Sequence, residues 1–135
     1  MTRVVLAVAM AFALVGCAGA GREACAPGLM RVVQAELFFG RDIAGRATVS
    51  DEEWRRFLDE EVTPRFPAGL SVADLGGQYR DNSGGLVREA SKGLRIFIPG
   101  GSADEAKLNA IRDAYKSRFH QETVLLVESP VCAGF

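Results

Sequence analysis

Position 17 holds a cysteine whose surroundings suit a thiol that becomes a lipid thioether. Leu14-Val15-Gly16 completes a lipobox with it, because small side chains there let a peptidase approach the backbone closely. Upstream lie a positive start, Met1-Thr2-Arg3, and an apolar run over 4–15, which is shorter than the roughly 20 residues that span a bilayer but typical of a signal peptide. The pattern predicts a lipoprotein signal peptide over 1–16 and lipidation of Cys17. The alternatives are an ordinary cleaved signal peptide and an uncleaved anchor helix.

The residues that follow Cys17 indicate where the protein would reside. Ala18-Gly19-Ala20-Gly21 is a flexible sequence, so we expect residues 17–30 to be a lipidated N-terminus and tether. The residue after Cys17 is Ala18 and not Asp, which in a Gram-negative cell resembles the pattern for outer-membrane sorting. We therefore expect acyl chains such as palmitate to anchor the protein to the membrane of the bacterial cell envelope, at the outer membrane and facing the periplasm.

Two further cysteines, Cys25 and Cys132, are candidates for a disulfide. The envelope outside the inner membrane is oxidising, and the two residues flank the first and the last predicted strand. If those strands are antiparallel neighbours, both cysteines emerge at the same end of the sheet, which favours a bridge over two free thiols. Neither cysteine has a nearby histidine, so a catalytic thiol is not expected.

Polar side chains recur inside the predicted strands. By strand alternation, one face of the sheet is expected to carry Gln34, Glu36, Phe38, Gln78, Arg80, Arg95 and Phe97. One interpretation is a polar pocket in which Glu36 acts as a base or an anion and Arg80 or Arg95 holds an anion. The other is a solvated face with cross-strand ion pairs, Glu36 with Arg95 among them.

The sequence predicts no cofactor and no metal site. His120 is the only histidine, and its place at the end of the second predicted helix suits a structural role beside the helix dipole. The Gly-Gly pairs at 76–77, 84–85 and 100–101 match no phosphate-binding loop, and the sequence contains no nucleophile elbow. The net charge is −1 with both signs interspersed, which argues against nucleic-acid binding.

The elements that would position these side chains begin with two helices. Ser50 and Glu53 match a capping box at the start of the first helix, and Pro64 ends it. Ser102 and Glu105 predict a second capping box, and apolar residues follow at helical spacing.

Period-two alternation predicts four strands, over 31–39, 70–80, 86–98 and 123–128. Gly76-Gly77 suggests a bulge in the second strand, and Ser129-Pro130 is expected to end the fourth. The order β-α-β-β-α-β predicts one α+β domain over 31–135. Its fold would be a ferredoxin-like sandwich, with two helices on one face of a four-stranded antiparallel sheet. The other face of the sheet would be open.

Several segments together resemble an uncharacterised family of small bacterial envelope proteins, the domain-of-unknown-function family 3574. They are Ala35–Arg41, Trp54–Pro67, Gly77–Arg80, Arg88–Lys92 and Tyr115–Phe119 with Gln121-Glu122. The resemblance covers residues 33–127 and implies a single, exported unit, but no activity. It singles out a set of candidate binding residues, Glu36, Arg41, Gln78, Arg80, Glu89 and Lys92, to which strand alternation adds Arg95.

The leading hypothesis is a noncatalytic envelope lipoprotein that binds an envelope protein or a small ligand through its open sheet face. Phe38 and Phe97 among charged residues motivate it, and two such faces could pair as a homodimer. The alternative is a small enzyme with a pocket built on Glu36 and an arginine. A purely structural envelope protein is a third possibility.

Overall fold

The elements follow one another in the order β-α-β-β-α-β. The computed structural model describes residues 24–42, 48–80 and 83–134, so Cys17 and the predicted signal peptide lie outside the described residues. The elements are β1 (Met30–Gly40), α1 (Asp51–Phe57), a π-helical turn (Leu58–Val62), β2 (Ser71–Arg80), β3 (Leu86–Ile98), α2 (Ser102–Phe119) and β4 (Leu125–Ala133).

Helix α1 begins at the predicted capping box. The Ser50 hydroxyl accepts a hydrogen bond from the Glu53 amide at 3.2 Å, and the Glu53 carboxylate accepts one from the Ser50 amide at 2.9 Å. The two bonds satisfy amide groups that the first turn of a helix leaves unpaired. The helix then widens into the π-helical turn, where the Thr63 amide donates to the Leu58 carbonyl at 2.9 Å.

The predicted capping box of the second helix is wrong. Gly101 is the N-cap of α2, and it offers no side-chain oxygen. Its φ of 109° lies in the region that favours glycine. Ser102 is therefore already the first helical residue and cannot cap the amide of Glu105. Asp104 supports this end of the helix by accepting a hydrogen bond from the Gly100 amide at 3.1 Å.

The four strands form one antiparallel sheet in the order β2-β3-β1-β4. The first and last strands are thus neighbours, and β2 and β4 form the two edges. Side chains from both helices pack on the same face of this sheet. The arrangement confirms the predicted ferredoxin-like α+β sandwich with one open sheet face.

The core fills the layer between the helices and the sheet. The buried side chains include Ala35, Leu37, Phe39, Leu94, Ile96 and Ile98 from the sheet and Trp54, Phe57, Leu108, Ile111, Tyr115 and Phe119 from the helices. Tyr115 joins the two layers, since its ring lies 4.7 Å from that of Phe39 and its hydroxyl donates to the Gly40 carbonyl at 2.8 Å. Burial raises the pKa of Tyr115 far above its ordinary value, so this hydroxyl stays a donor.

Two details of the strand predictions are wrong. Strand β4 does not end at Ser129-Pro130 but continues to Ala133, with Pro130 opposite Val33. An edge strand pairs on one side only, so it can accommodate a residue without an N–H group. Strand β2 has no bulge at Gly76-Gly77, because its register with β3 is constant over all ten residues.

A disulfide joins Cys25, in the segment before β1, to Cys132 in β4. Position 132 lies opposite Arg31 of β1, so the bridge closes one end of the β1–β4 pair. The residues that the structure describes include no helix long and apolar enough to cross a bilayer.

Candidate functional site

The open face of the sheet carries the alternate residues that do not enter the core. Glu36 of β1 lies opposite Arg95 of β3, which in turn lies opposite Ser71 of β2. Counting by twos from these positions places Gln34, Phe38, Ala73, Leu75, Tyr79, Glu89, Gly93 and Phe97 on the same face. Several of these side chains are apolar and exposed, with Leu75 39% and Tyr79 53% accessible.

Glu36 and Arg95 form the predicted cross-strand ion pair. Both Nε and Nη2 of Arg95 donate to Glu36 Oε1, at 2.9 and 2.6 Å. The side chains stay 26% and 52% accessible, so the pair is solvated and not enclosed. One carboxylate oxygen of Glu36 thus accepts two charge-assisted hydrogen bonds from a single guanidinium.

A trough lies beside this pair, and we call it the Gly93 trough. Gly93 of β3 is placed between Phe38 of β1 and Ala73 of β2, so the missing side chain leaves a depression in the sheet surface. A Cβ atom at this position would lie 2.8 Å from Leu75 Cδ1, which leans over the glycine. The depression has a volume of about 300 Å³, and Glu36 and Arg95 also line it.

A second cleft lies where the open face meets the end of α2. The Glu89 carboxylate occupies the space that a Cβ of Gly40 would need, so a side chain at position 40 would displace this carboxylate. His120 ends the helix in a left-handed conformation with φ 53°, and it lines the cleft with Gln121. The side-chain amide of Gln121 donates to the Asp42 carbonyl at 2.6 Å. The cleft measures about 530 Å³. Among the described residues, no group of three His, Cys, Asp or Glu side chains could hold a metal ion.

On the helix side of the sheet, Lys92 of β3 joins two carboxylates. Its ammonium lies 2.8 Å from Asp51 Oδ1 at the start of α1 and also donates to Asp74 of β2. The side chain of Lys92 is only 8% accessible. Arg41 contacts the same Asp51 oxygen at 3.2 Å and donates to the Val49 carbonyl at 2.8 Å.

These contacts shift the pKa values of Asp51 and Lys92 in the directions expected for an ion pair. The hydrogen bond from Lys92, and then the charges of Lys92 and Arg41, lower the pKa of Asp51. The hydrogen bonds to Asp51 and Asp74 raise the pKa of Lys92, against the opposing effect of burial. Lys92 is therefore a cation at neutral pH that ties the β2–β3 hairpin to α1.

The prediction that Gln78 and Arg80 share the open face is wrong. The register places Gln78 opposite Arg88 and Arg80 opposite Leu86, in the alternate set that points to the helix side. Arg80 donates to the Gly84 carbonyl of the hairpin turn at 2.9 Å. Side chains alternate between the two faces of a strand, so assigning the open face to positions 78 and 80 instead of 77 and 79 exchanges the two faces.

The candidate binding residues thus divide into two groups. Glu36, Glu89 and Arg95 lie on the open face, whereas Gln78, Arg80 and Lys92 lie on the other. Arg41, which follows β1, contacts Asp51 of α1 and so also lies on the helix side. The sequence interpretation missed Asp51, Asp74 and Gly93. One signal for the two aspartates was available: Lys92 alternates with the core residues Leu94 and Ile96, and a lysine in a buried row needs acidic partners.

Comparisons with known proteins add a family and a fold. The profile of the family "Protein of unknown function (DUF3574)" matches residues 34–135. No curated protein matches the sequence. A phage SAM lyase in complex with S-methyl-5'-thioadenosine is similar in structure, with a TM-score of 0.58, 19% identity, and coverage of 84% of this chain and 95% of that chain. CutA from Synechococcus elongatus PCC7942 has a TM-score of 0.54 at 14% identity, with 80% and 87% of the chains covered. At these identities the likeness concerns the fold alone.

Proposed function

The chain belongs to the DUF3574 family, whose function is unknown, and we propose that it is a noncatalytic binding module that uses its open sheet face. The Gly93 trough carries this proposal. It combines a glycine floor, apolar walls from Phe38 and Leu75, and a charged pair at its end. Pockets that bind small molecules have this composition, with few polar groups on an apolar lining.

The lining also indicates the class of ligand. An apolar group of a few carbon atoms would enter the trough between Phe38 and Leu75, beside the Leu75 methyl group that leans over Gly93. A polar or anionic end would then reach Arg95, whose guanidinium is half exposed and keeps donor groups beyond those that bind Glu36. The proposed ligand is a compact amphipathic molecule, or a side chain of that character on an envelope protein.

We further propose that this module works at a membrane surface of the bacterial envelope. The lipobox ending at Cys17 supports a lipid anchor, and Cys25 follows only eight residues later. The disulfide to Cys132 ties Cys25 to the folded domain, so the free tether would be short. A ligand of the open face would then be met close to the bilayer.

The enzyme hypothesis has less support from the geometry. It needs Glu36 together with Arg80 or Arg95 in a pocket on the open face. Arg80 belongs to the set that points to the helix side and donates to the Gly84 carbonyl. Arg95 is bound directly to Glu36.

Binding of anilinonaphthalene sulfonate to the full-length protein tests the trough, because the probe combines apolar rings with an anionic group. We expect Gly93→Val to fill the trough and to weaken binding by about tenfold or more, since a buried aromatic contact of roughly 1.4 kcal/mol or more is lost. Gly76→Val is the matched control: it adds the same side chain to the neighbouring strand, where a Cβ meets open space on the other face. Amide chemical shifts of Phe38, Leu75 and Arg95 should move on titration.

The proposal would be abandoned if the probe bound both variants as it binds the wild type, or if the shifted amides lay away from the trough. Thermal unfolding of both variants checks that the fold is kept, because Leu75 must turn aside when position 93 gains a side chain.

A further inference from the structure

The two edges of the sheet differ in how they are protected against pairing with another strand. Strand β4 contains Glu128 and Pro130 and is tied by the disulfide at Cys132, features that blunt an edge. Strand β2 has ten exposed residues, no proline and no bulge. Within the described part of the chain, β2 receives backbone hydrogen bonds from β3 alone. A long, regular and uncovered edge strand can pair with a further strand through its free backbone N–H and C=O groups.

The outer half of β2 also lacks support inside the domain. Ladder pairing between β1 and β3 ends at Gly40 and Ser91, and the Arg41 amide still donates to the Ala90 carbonyl at 3.1 Å. The part of the hairpin over 77–80 and 86–89 therefore consists of two strands only. A two-stranded ribbon is marginally stable in water without a third strand or a packed helix. This segment gains most from an added strand.

We propose that the β2 edges of two copies of this chain pair antiparallel about a twofold axis at Gly77. The charges of the strand select this partner and this register. With Gly77 opposite itself, Asp74 lies opposite Arg80 of the second copy, and the symmetry repeats the contact. Leu75 then lies opposite Tyr79 of the second copy, so the exposed apolar side chains of the strand cover each other.

Other registers lose this match. Asp74 and Arg80 are the only charged residues of β2. An axis at Gly76 would set Asp74 against Gln78 and Arg80 against Val72, and an axis at Asp74 would set the two aspartates against each other. The centre at Gly77 also needs no side chain to move aside. Asp74 is 78% accessible, so it has room for a second cation besides Lys92.

The resulting dimer has one closed, self-complementary interface. The four-stranded sheets of the two copies join into one continuous sheet of eight strands. The open faces of the two copies become contiguous. Leu75, a wall of the Gly93 trough, would contact Tyr79 of the second copy. The pairing rests on the strand edge and not on ligand binding, so either proposal can fail without the other.

Cysteine cross-linking of the full-length protein in a mild detergent tests the register. Directly opposite residues have Cα atoms about 4.5–5.5 Å apart, within the range of roughly 4.4–6.8 Å that a disulfide spans. Gly77→Cys should therefore form a disulfide-linked dimer on mild oxidation. Gly76→Cys is the matched control, because residue 76 and its copy are diagonal neighbours at roughly 7–8 Å. A Cβ at either position is tolerated.

Charge exchange between two variants tests the partner. Asp74→Lys alone and Arg80→Glu alone each place like charges opposite one another, and each should weaken the dimer by about tenfold or more, measured by light scattering. An equimolar mixture restores both opposite-charge pairs and should recover heterodimers. The proposal is overturned by a monomeric wild type, by an assembly of three or more copies, by equal cross-linking at positions 76 and 77, or by a mixture that associates no better than its components.

Discussion

Lys92 of β3 and Asp51 at the N-terminus of α1 form an ion pair of 2.8 Å across the layer boundary between sheet and helix. The pair is asymmetric, because the lysine side chain is 8% accessible and the aspartate 66%. The buried partner depends on the bond, whereas the exposed partner can exchange it for water. Asp74 from β2 contacts the same ammonium, so one side chain couples three elements.

Replacing Lys92 by Met should destabilise the domain by about 1–2 kcal/mol, since hydrogen bonds to charged groups are lost while the exposed carboxylates are rehydrated. Urea unfolding at neutral pH measures the difference. Lys116→Met is the matched control: Lys116 pairs with Asp113 at 2.7 Å on the exposed side of α2. Such surface pairs contribute little, so equal losses in the two variants would contradict the role assigned to Lys92.

The stabilising effect of Lys92 should depend on pH at both ends of the scale. The pKa of Asp51 in the folded protein is below the ordinary 3.8, so its contribution is present above that value and is lost as the pH falls through the lowered pKa. The pKa of Lys92 is above 10.5, so its contribution is present below that value and is lost as the pH rises through the raised pKa. The difference in free energy of unfolding between wild type and Lys92→Met should be constant between these two pKa values. A difference that grew as the pH fell would contradict this prediction.

Removing the Cys25–Cys132 disulfide should lower the stability by about 2–5 kcal/mol, because the bridge closes a long loop in the unfolded chain. The two cysteines are 107 positions apart. The Tm of Cys132→Ser should fall, and a reductant should bring the wild type to the same value. If the reductant left the wild type unchanged while the variant fell, the loss would come from the packing of the serine and not from the bridge.

Cys17→Ser should abolish lipid attachment and release the protein from the membrane fraction, since the Cys17 thiol is the expected site of the lipid thioether. Intact mass of the membrane-extracted protein measures the lipid directly. Cys25→Ser is a useful comparison, because it removes a neighbouring cysteine without touching the lipobox. The lipobox interpretation fails if the Cys17 variant keeps both its mass and its membrane association.

The local elements were predictable because their causes are local. Ser50 and Glu53 form the predicted capping box, and β3 has the predicted bounds, Leu86–Ile98. Where a prediction failed, the outcome depended on strand pairing in the sheet or on a backbone conformation. Pro130 stays within β4 because the strand is an edge, and Gly101 takes the cap position by a positive φ that its sequence neighbours do not reveal.

By itself, the sequence determined the element order and the antiparallel fold, since alternation and connection rules need no distant information. It offered the pairing of Glu36 with Arg95 as one of two interpretations. Only the tertiary structure decided that Lys92 meets Asp51 and Asp74, that Gly93 forms a trough, and that Arg80 leaves the open face. These features depend on the register between strands and on the docking of α1. A shift of the register by one residue moves every side chain of a strand to the other face of the sheet. The residues of a single segment do not specify its register with a neighbouring strand.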